Sequence, residues 1–410
     1  MGKVCKVILL IESSRASGRD LLRGIARYAH FHGEWSFYWE PGGLEKALPA
    51  LKNLEADGII LRDVENLNRV LRFGIPAVVV GHRRSEVRGL VNVITNSDEI
   101  GRLGAEHLLK CGFRHFAYCG YLGTAREQTP WSKLRLESFR RRIAEAGFDE
   151  PVVYTVPGSS LDWQRERKRV ATWLAKLPRP TGVMACNDDC GVQVIEAGRL
   201  AGLAIPDDIG ILGVDNDEVI CGLSDPPLTS IAINFERAGY EAAASLNSLM
   251  AKVARVPPRI QALASHVVAR RSTDVVAAGD PGLAKALRFI RDHSRQALTV
   301  SDVAREAGFS RRGLERRFRS LMGGSVLGEI RRARTNQIVH LLLETTLPIG
   351  QIAELLGFEG VQHFARYFRS GKGVSPLAFR KTYGSPLGSP LPQNGDLFPQ
   401  SGVSPQAKPG

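Results

Sequence analysis

At 410 residues the chain has room for two or three separate cores, which excludes a single small module. Its 43% apolar and 24% charged residues are those of an ordinary globular protein, and no apolar run reaches the ~18 residues of a membrane span. The net charge of +13 is unevenly placed: residues 281–383 carry 18 Lys and Arg against 8 Asp and Glu, whereas residues 1–280 carry 36 against 33, so a polyanionic partner is expected at one end only.

The chain opens MGKVCKVILLIESS. Its apolar run is too short for a membrane span, no small-residue cleavage site follows, and Lys6 spoils a myristoylation pattern. A first strand over Val7–Ile11 in a cytoplasmic protein is expected, with no membrane partner. Up to about residue 270, short β-branched runs alternate with helical patterns. The strands fall at Val7–Ile11, Ser36–Trp39, Gly58–Leu61, Ala77–Val80, Val91–Ile94, Phe116–Cys119, Val152–Tyr154, Gly182–Cys186 and Gly210–Val214. The helices run through Arg19–His30, Leu44–Leu54, Asp98–Lys110, Leu134–Ala146, Trp163–Leu177, Cys190–Gly202 and Phe235–Ala254. Such alternation predicts parallel sheets covered by helices on both faces, and the number of strands favours two lobes.

Ligands of such folds bind beyond the carboxyl ends of strands. That rule singles out Glu12, Ser13 and Ser14, then Asn187 and Asp188, then Asp215, although turn and helix-cap duty explains any one of them alone. Cys5, Cys111, Cys119, Cys186, Cys190 and Cys221 lack the spacing of a disulfide framework. Cys186 and Cys190 bracket Asn187-Asp188-Asp189 without a second Cys/His pair, so they read as core thiols and no metal is expected. No G-x-G-x-x-G follows the first strand, and neither a P-loop nor a Ser/His/Asp constellation is present; no enzyme and no cofactor is expected.

Residues 274–280 read as a linker. Beyond them the chain repeats itself: TVSDVAREAGFSRRGLERRF and LPIGQIAELLGFEGVQHFARYF pair Ala304 with Ala353, Gly308 with Gly357 and Phe309 with Phe358, then Leu314 with Phe364, Arg316 with Arg366 and Phe318 with Phe368. Each copy reads as a helix-turn-helix: a small Ala at the crossing, Gly where the first helix stops, and an inward Leu/Phe stripe on the second. Ser310 is placed to cap the second helix of the first copy, whose stripe is Leu314, Phe318 and Leu321. Arg311, Arg312, Glu315, Arg316 and Arg319 fall on the outer face of that helix, as for a helix that enters the major groove. In the second copy Gln362, His363, Arg366 and Arg369 take that place, suited to base edges. Arg317 is expected at phosphates or solvent. Between the copies SVLGEIRRARTNQIVHLLLETT reads as one helix capped by Ser325, with Ile330, Ile338, Leu341 and Leu342 on its apolar side. The last 27 residues, 384–410, are rich in Pro, Gly and Ser and read as a disordered tail.

Residues 298–383 resemble the AraC/XylS-type DNA-binding domain, down to the closing pattern of Phe368, Arg369, Gly373, Ser375, Pro376, Phe379 and Arg380. Phe379 stands where Tyr is usual and Ile338 where Ala is common. The earlier span is similar to the effector domain of LacI/GalR-type repressors, the periplasmic-binding-protein type I fold. The matching pieces are Asn187-Asp188, Ile205-Pro206-Asp207-Asp208, Gly213-Val214-Asp215-Asn216, Pro226-Pro227-Leu228-Thr229, residues 101–108 and residues 134–139. This resemblance implies that Asn187, Asp215 and Arg135 hold a small effector. Carboxylate and amide oxygens would accept from hydroxyls and the guanidinium would donate, with Trp131 against a sugar's apolar face and Ser13 after the first strand. Thr95-Asn96 stands where Asp-Asn is usual, so no contact is carried over there.

The expected whole is a two-lobed α/β sensor over residues 1–273 followed by an all-α double helix-turn-helix reader over residues 281–383. The resemblance implies a cytoplasmic transcription activator, nucleoid-associated when bound to double-stranded DNA and working as a homodimer. Its effector would be a monosaccharide, with xylose or another pentose as candidates, and RNA polymerase a further partner. The competing readings are a sensor that only dimerises and a sugar-converting enzyme.

Overall fold

The computed structural model describes residues 4–383 except 34, 43–54, 64–66, 82–85, 123–128, 158–162, 254–255, 275–279, 323 and 346. The helix expected over Leu44–Leu54, most of the linker and the whole tail lie outside the described residues. All nine expected strands form. They are β1 (Cys5–Leu10), β2 (Trp35–Trp39), β3 (Gly58–Arg62), β4 (Ala77–Val80), β5 (Val91–Thr95), β6 (His115–Gly120), β7 (Val152–Thr155), β8 (Thr181–Ala185) and β9 (Ile209–Asp215). Three more went unread: β10 (Thr229–Ile233), β11 (Arg259–Ala262) and β12 (Ala264–Val268).

Two six-stranded sheets result, in the orders β11-β5-β4-β3-β1-β2 and β12-β10-β9-β8-β6-β7. Every pairing is parallel except β10 with β12. Along β1, Val7 and Leu9 pack on one side of the sheet and Ile8 and Leu10 on the other, so the strand is apolar at every position rather than at alternate ones. Helices cover both sheets: α1 (Ala16–His32), α2 (Leu67–Leu71), α3 (Ser97–Lys110), α4 (Pro130–Glu145), α5 (Trp163–Leu174), α6 (Asp188–Leu200), α7 (Glu218–Leu223) and α8 (Phe235–Met250).

The chain crosses between lobes near Asn96, Asn234 and Leu263. The crossings are tied together, because the Asn96 amide donates to the Ala262 carbonyl at 3.1 Å and the Asn234 amide donates to that of Leu263 at 2.9 Å. Each Asn also starts a helix by accepting a backbone amide on its side chain, from Glu99 and from Arg237. Helix α8 thus springs directly from a hinge and packs on α1. Gly24 and Gly239 let the two backbones touch: a Cβ at Gly24 would lie 1.9 Å from the Glu236 carbonyl oxygen, and one at Gly239 would lie 2.1 Å from that of Leu21.

Residues Pro281–Tyr383 form the second part, with α9 (Pro281–Asp292), α10 (Val300–Glu306), α11 (Arg311–Met322), α12 (Val326–Glu344), α13 (Ile349–Leu355), α14 (Val361–Lys372) and α15 (Pro376–Tyr383). Two small cores lie along α12. Val326 and Ile330 join the first with Leu314 and Phe318, whereas Ile338, Val339, Leu341 and Leu342 join the second with Phe364 and Phe368. Helix α12 is therefore a shared spine, its 19 residues spanning about 28 Å at ~1.5 Å per residue.

Candidate ligand cleft and candidate nucleic-acid interface

Where the two sheets face each other, the ends of β3, β4, β5 and β9, the residue Asn187 just past β8 and the starts of α1, α4 and α8 enclose a small recess of about 70 Å³. Past Trp131, Ile94 and Thr95 it adjoins an outer recess of about 490 Å³. Of the expected residues, Arg135, Trp131, Asn187 and Asp215 line the inner recess together. Ser13 does not. Its carbonyl accepts from Arg19 at 3.0 Å, because the chain turns at residues 11–15 to begin α1, and Arg15 and Ser17 take the lining positions instead.

Asp215 ends β9 with φ at 104°, in a region that L residues rarely occupy, and Asn216 follows at 51°. Arg135 on α4 is buried, donates to the Cys186 carbonyl, lies 4.8 Å from the centre of the Trp131 ring and reaches to 3.8 Å from Asp215 Oδ1. Asp215 Oδ1 and Arg135 Nε are both buried and have no hydrogen-bond partner among the described residues. Buried groups of this strength are normally satisfied, so an additional polar group is expected between them. Burial pushes the Asp215 carboxyl up to about 6, against the opposing pull of Arg135 and Arg15. Its neighbour Asp188 is pushed up to about 8, by burial first and by the Asp215 charge second.

Asn187 departs from the expected chemistry. Its Oδ1 accepts the Cys190 amide at 3.0 Å and so caps α6, which leaves its amide nitrogen as the group it can present to the recess. Sequence reasoning also missed Arg62, which lies 3.3 Å from Glu12, and Arg15, which pairs with Asp189 at 2.6 Å across the cleft. A second bridge crosses nearby: Asp217 accepts from the Ala16 amide at 2.8 Å and from Arg19 at 2.9 Å. The Thr95 position, left without a contact in the sequence reading, does line the recess, and Phe235 at the start of α8 closes it. The cysteines are free, and Cys119, Cys186 and Cys190 cluster in the core behind Asn187; no metal-type group occurs among the described residues.

In the second part, both copies close their turns alike. Gly308 and Gly357 sit at φ 73° and 67°, and the Phe309 and Phe358 amides each donate at 2.9 Å to the Ala five residues earlier. Ala304 and Ala353 are buried at the crossings. Ser310 caps α11, accepting the Gly313 amide at 3.1 Å. On α11 the outer residues Arg311, Arg312, Arg316 and Arg319 are exposed and Glu315 is half-buried; on α14 Gln362, His363, Arg366 and Arg369 are exposed. Leu321 leaves the expected stripe and is 46% exposed, because the first core ends a turn earlier and Met322 packs on it instead. Arg317 also departs from expectation. It pairs with Asp280, the residue that caps α9, and lies 4.6 Å from the Phe309 ring centre. Arg334 acts likewise in the second copy, over Phe358 at 4.3 Å while donating to the Leu356 carbonyl at 2.6 Å. Arg380 holds the Leu342 and Leu347 carbonyls. Part of the basic excess is thus structural.

A periplasmic binding protein-like domain matches residues 105–273 and a helix-turn-helix domain matches residues 303–382. The xylose operon regulatory protein of Escherichia coli K12 is 26% identical over 381 residues, covering 92% of this chain and 96% of its own. That of Haemophilus influenzae is also 26% identical, covering 92% and 98%. The same two-part build recurs in the solved structure of a xylose-binding transcription activator, xylR, at 26% identity and a TM-score of 0.59 over 93% of this chain and 99% of that one. The chain is a transcription regulator of this xylose-regulator-like build. Its sensor is the two-lobed α/β part and its reader the helical part, an AraC-type double helix-turn-helix. A cellobiose-complexed regulator at 18% identity, with a TM-score of 0.53 over 65% of the chain, shares the sensor's fold. No described helix of the regulator is long and apolar enough to cross a membrane.

Proposed function

We propose that this regulator is a cytoplasmic activator without catalytic activity, switched by an uncharged monosaccharide held between the two lobes, with xylose or another pentose first among candidates. We place the sensor at residues 1–273 and the reader at residues 281–383. Arg135 and Asp215 hold the sugar's hydroxyls, Asn187 donates to it, Trp131 covers its apolar face, and Arg15, Ser17 and Arg62 complete the wall. The observation that carries the reading is the pair of unsatisfied buried atoms, Asp215 Oδ1 and Arg135 Nε, set between the lobes. Each arginine of the wall faces a carboxylate, Arg15 to Asp189, Arg62 to Glu12 and Arg135 to Asp215, so the recess suits hydroxyls better than a net charge. A sugar is too large for 70 Å³ alone and takes the space at Trp131 that joins the inner and outer recesses.

On the reader, Arg312, Glu315 and Arg316 on α11 and Gln362, His363 and Arg366 on α14 read base edges. Arg311, Arg319 and Arg369 hold the backbone. The regulator works on DNA as a homodimer and engages RNA polymerase. A sugar shifts the population only through different affinity for the two sensor states. A thermal-shift screen of the full chain against pentoses, hexoses and their phosphates tests the sensor assignment: a ligand at 100 times its Kd raises stability by ~2.7 kcal/mol. Failure of every uncharged sugar to stabilise the chain refutes it.

A further inference from the structure

Between the sensor's C-terminal lobe and the reader lie two more recesses, of about 420 and 310 Å³, which share His107, His266, Arg332 and Asn336 and form one groove. Helix α3 and strand β12 line it from the sensor, and α12 with the end of α14 from the reader. Its size is that of a small-molecule site, ~300–1,000 Å³.

The charge of this groove differs from that of the cleft. Its acids are engaged: Asp274 pairs with Arg291, Glu329 accepts from Arg332 at 2.9 Å, and Glu106 is shared by Arg102, Lys110 and Arg142. Three cations in the wall, Arg270, Arg331 and Lys372, have no carboxylate within ion-pair distance among the described residues. Arg270 is used on neutral oxygens, those of Leu228 and Asn216. Lys372 is half-buried, and both that burial and the charge of Lys110 weaken its hold on its proton. Two like charges facing one partly desolvated groove favour an anion between them. Polar groups are present as well. His266 Nε2 and Gln337 Nε2 are buried without hydrogen-bond partners among the described residues, and burial keeps the His266 imidazole neutral.

We propose that this groove is a second ligand site, distinct from the sugar cleft, that takes the phosphate monoester of a small sugar. Arg331 and Lys372 hold the phosphate, joined by Lys110, whose 3.7 Å contact is the longest of the three that share Glu106, while Asn336, Gln337 and His266 meet hydroxyls. Free phosphate meets the same cations but fills little of the volume. Because one wall belongs to the sensor and the other to the reader, an occupant fixes the reader's position on the sensor and couples a second metabolite to DNA binding.

Titration calorimetry of the full chain with ribose 5-phosphate, ribose, inorganic phosphate and sulfate at matched ionic strength tests this. Ribose 5-phosphate is expected to bind wild type and Asp215→Ala alike, and more tightly than phosphate or sulfate. Combining Lys110→Ala with Lys372→Ala weakens it at least ~tenfold, the scale of losing charge-assisted hydrogen bonds. Combining Lys110→Gln with Lys372→Gln, checked for an unchanged thermal transition, repeats the measurement with less loss of side-chain length. Absence of binding by wild type, unchanged affinity in both double variants, or equal binding of sulfate overturns the proposal. Loss of binding in Asp215→Ala assigns the ligand to the cleft instead, and a double variant that changes only the salt dependence of DNA binding assigns the cations to the DNA backbone; either also overturns it.

Discussion

The sensor cleft and the reader face use arginine in opposite ways. In the cleft Arg15, Arg62 and Arg135 each lie against a carboxylate, whereas Arg311, Arg312, Arg316, Arg319, Arg366 and Arg369 on the recognition helices have none within ion-pair distance among the described residues. A matched wall has little net field and selects by the placement of donors and acceptors. An unmatched face attracts phosphate from a distance and gains specificity only where a guanidinium reaches a base. The composition makes the same division, with the basic excess at residues 281–383 and near balance before them.

Breaking the matched wall should have the largest effect. Asp215→Ala and Arg135→Ala each remove charge-assisted hydrogen bonds of roughly 1.5–3 kcal/mol and strip the partner of its counter-charge, so response to the effector should vanish while effector-free DNA binding persists. Calorimetric titration of both variants with the sugar found by screening decides this, and unchanged affinity in both removes them from the site.

On the unmatched face, Arg316→Ala or Arg366→Ala should cost ~1–3 kcal/mol on the cognate site and relax selectivity at one position. Arg319→Ala should instead weaken binding to every sequence and lower the salt slope by ~1. Binding curves on cognate and scrambled duplexes at several salt concentrations separate these behaviours. Equal losses on both duplexes for Arg316→Ala and Arg366→Ala would make them backbone clamps.

A smaller effect comes from pH. The Asp215 carboxyl titrates at about 6, so sugar affinity should fall as pH drops through 6 and hydroxyls lose their acceptor. Asp188 acts on stability in the other direction. Its carboxyl is raised from 3.8 to about 8, so the folded sensor binds the proton more tightly than the unfolded chain, and the stability this confers is lost as pH rises towards 8. Melting curves from pH 5 to 8 should show the decline, and Asp188→Asn should flatten it.

The repeat in the reader was legible because each copy writes its geometry in local residues: Ala at the crossing, Gly at positive φ, and an apolar stripe behind a polar face. The strands β1 to β9 were legible as continuous apolar runs. Strands β10, β11 and β12 were not: TSIAI, RIQA and ASHVV flank the hinge crossings, β11 finds its partner in β5 far back in the chain, and β12 turns antiparallel onto β10 instead of following the β-α alternation. In the cleft, Asn187 and Asp215 were legible at the ends of their strands and Arg135 only through a family pattern, whereas Arg15 and Arg62 had no local signal. Their roles depend on Asp189 and Glu12 arriving from elsewhere in the chain. The structural duties of Arg317 and Arg334 were hidden for the same reason: an arginine on a helix looks alike in sequence whether it meets DNA or the ring of Phe309 or Phe358.

Control of the reader by a sugar in the cleft is a coupling between two binding events. The most direct test is the affinity of the full chain for its operator duplex, by fluorescence anisotropy, without and with saturating sugar, in wild type and in Asp215→Ala. Linkage requires the sugar to change DNA affinity by the same factor by which DNA changes sugar affinity. A factor well away from one is expected in wild type, equal in both directions, and a factor of one in Asp215→Ala at the same sugar concentration. An operator affinity in wild type that ignores a sugar known to occupy the cleft would contradict that coupling.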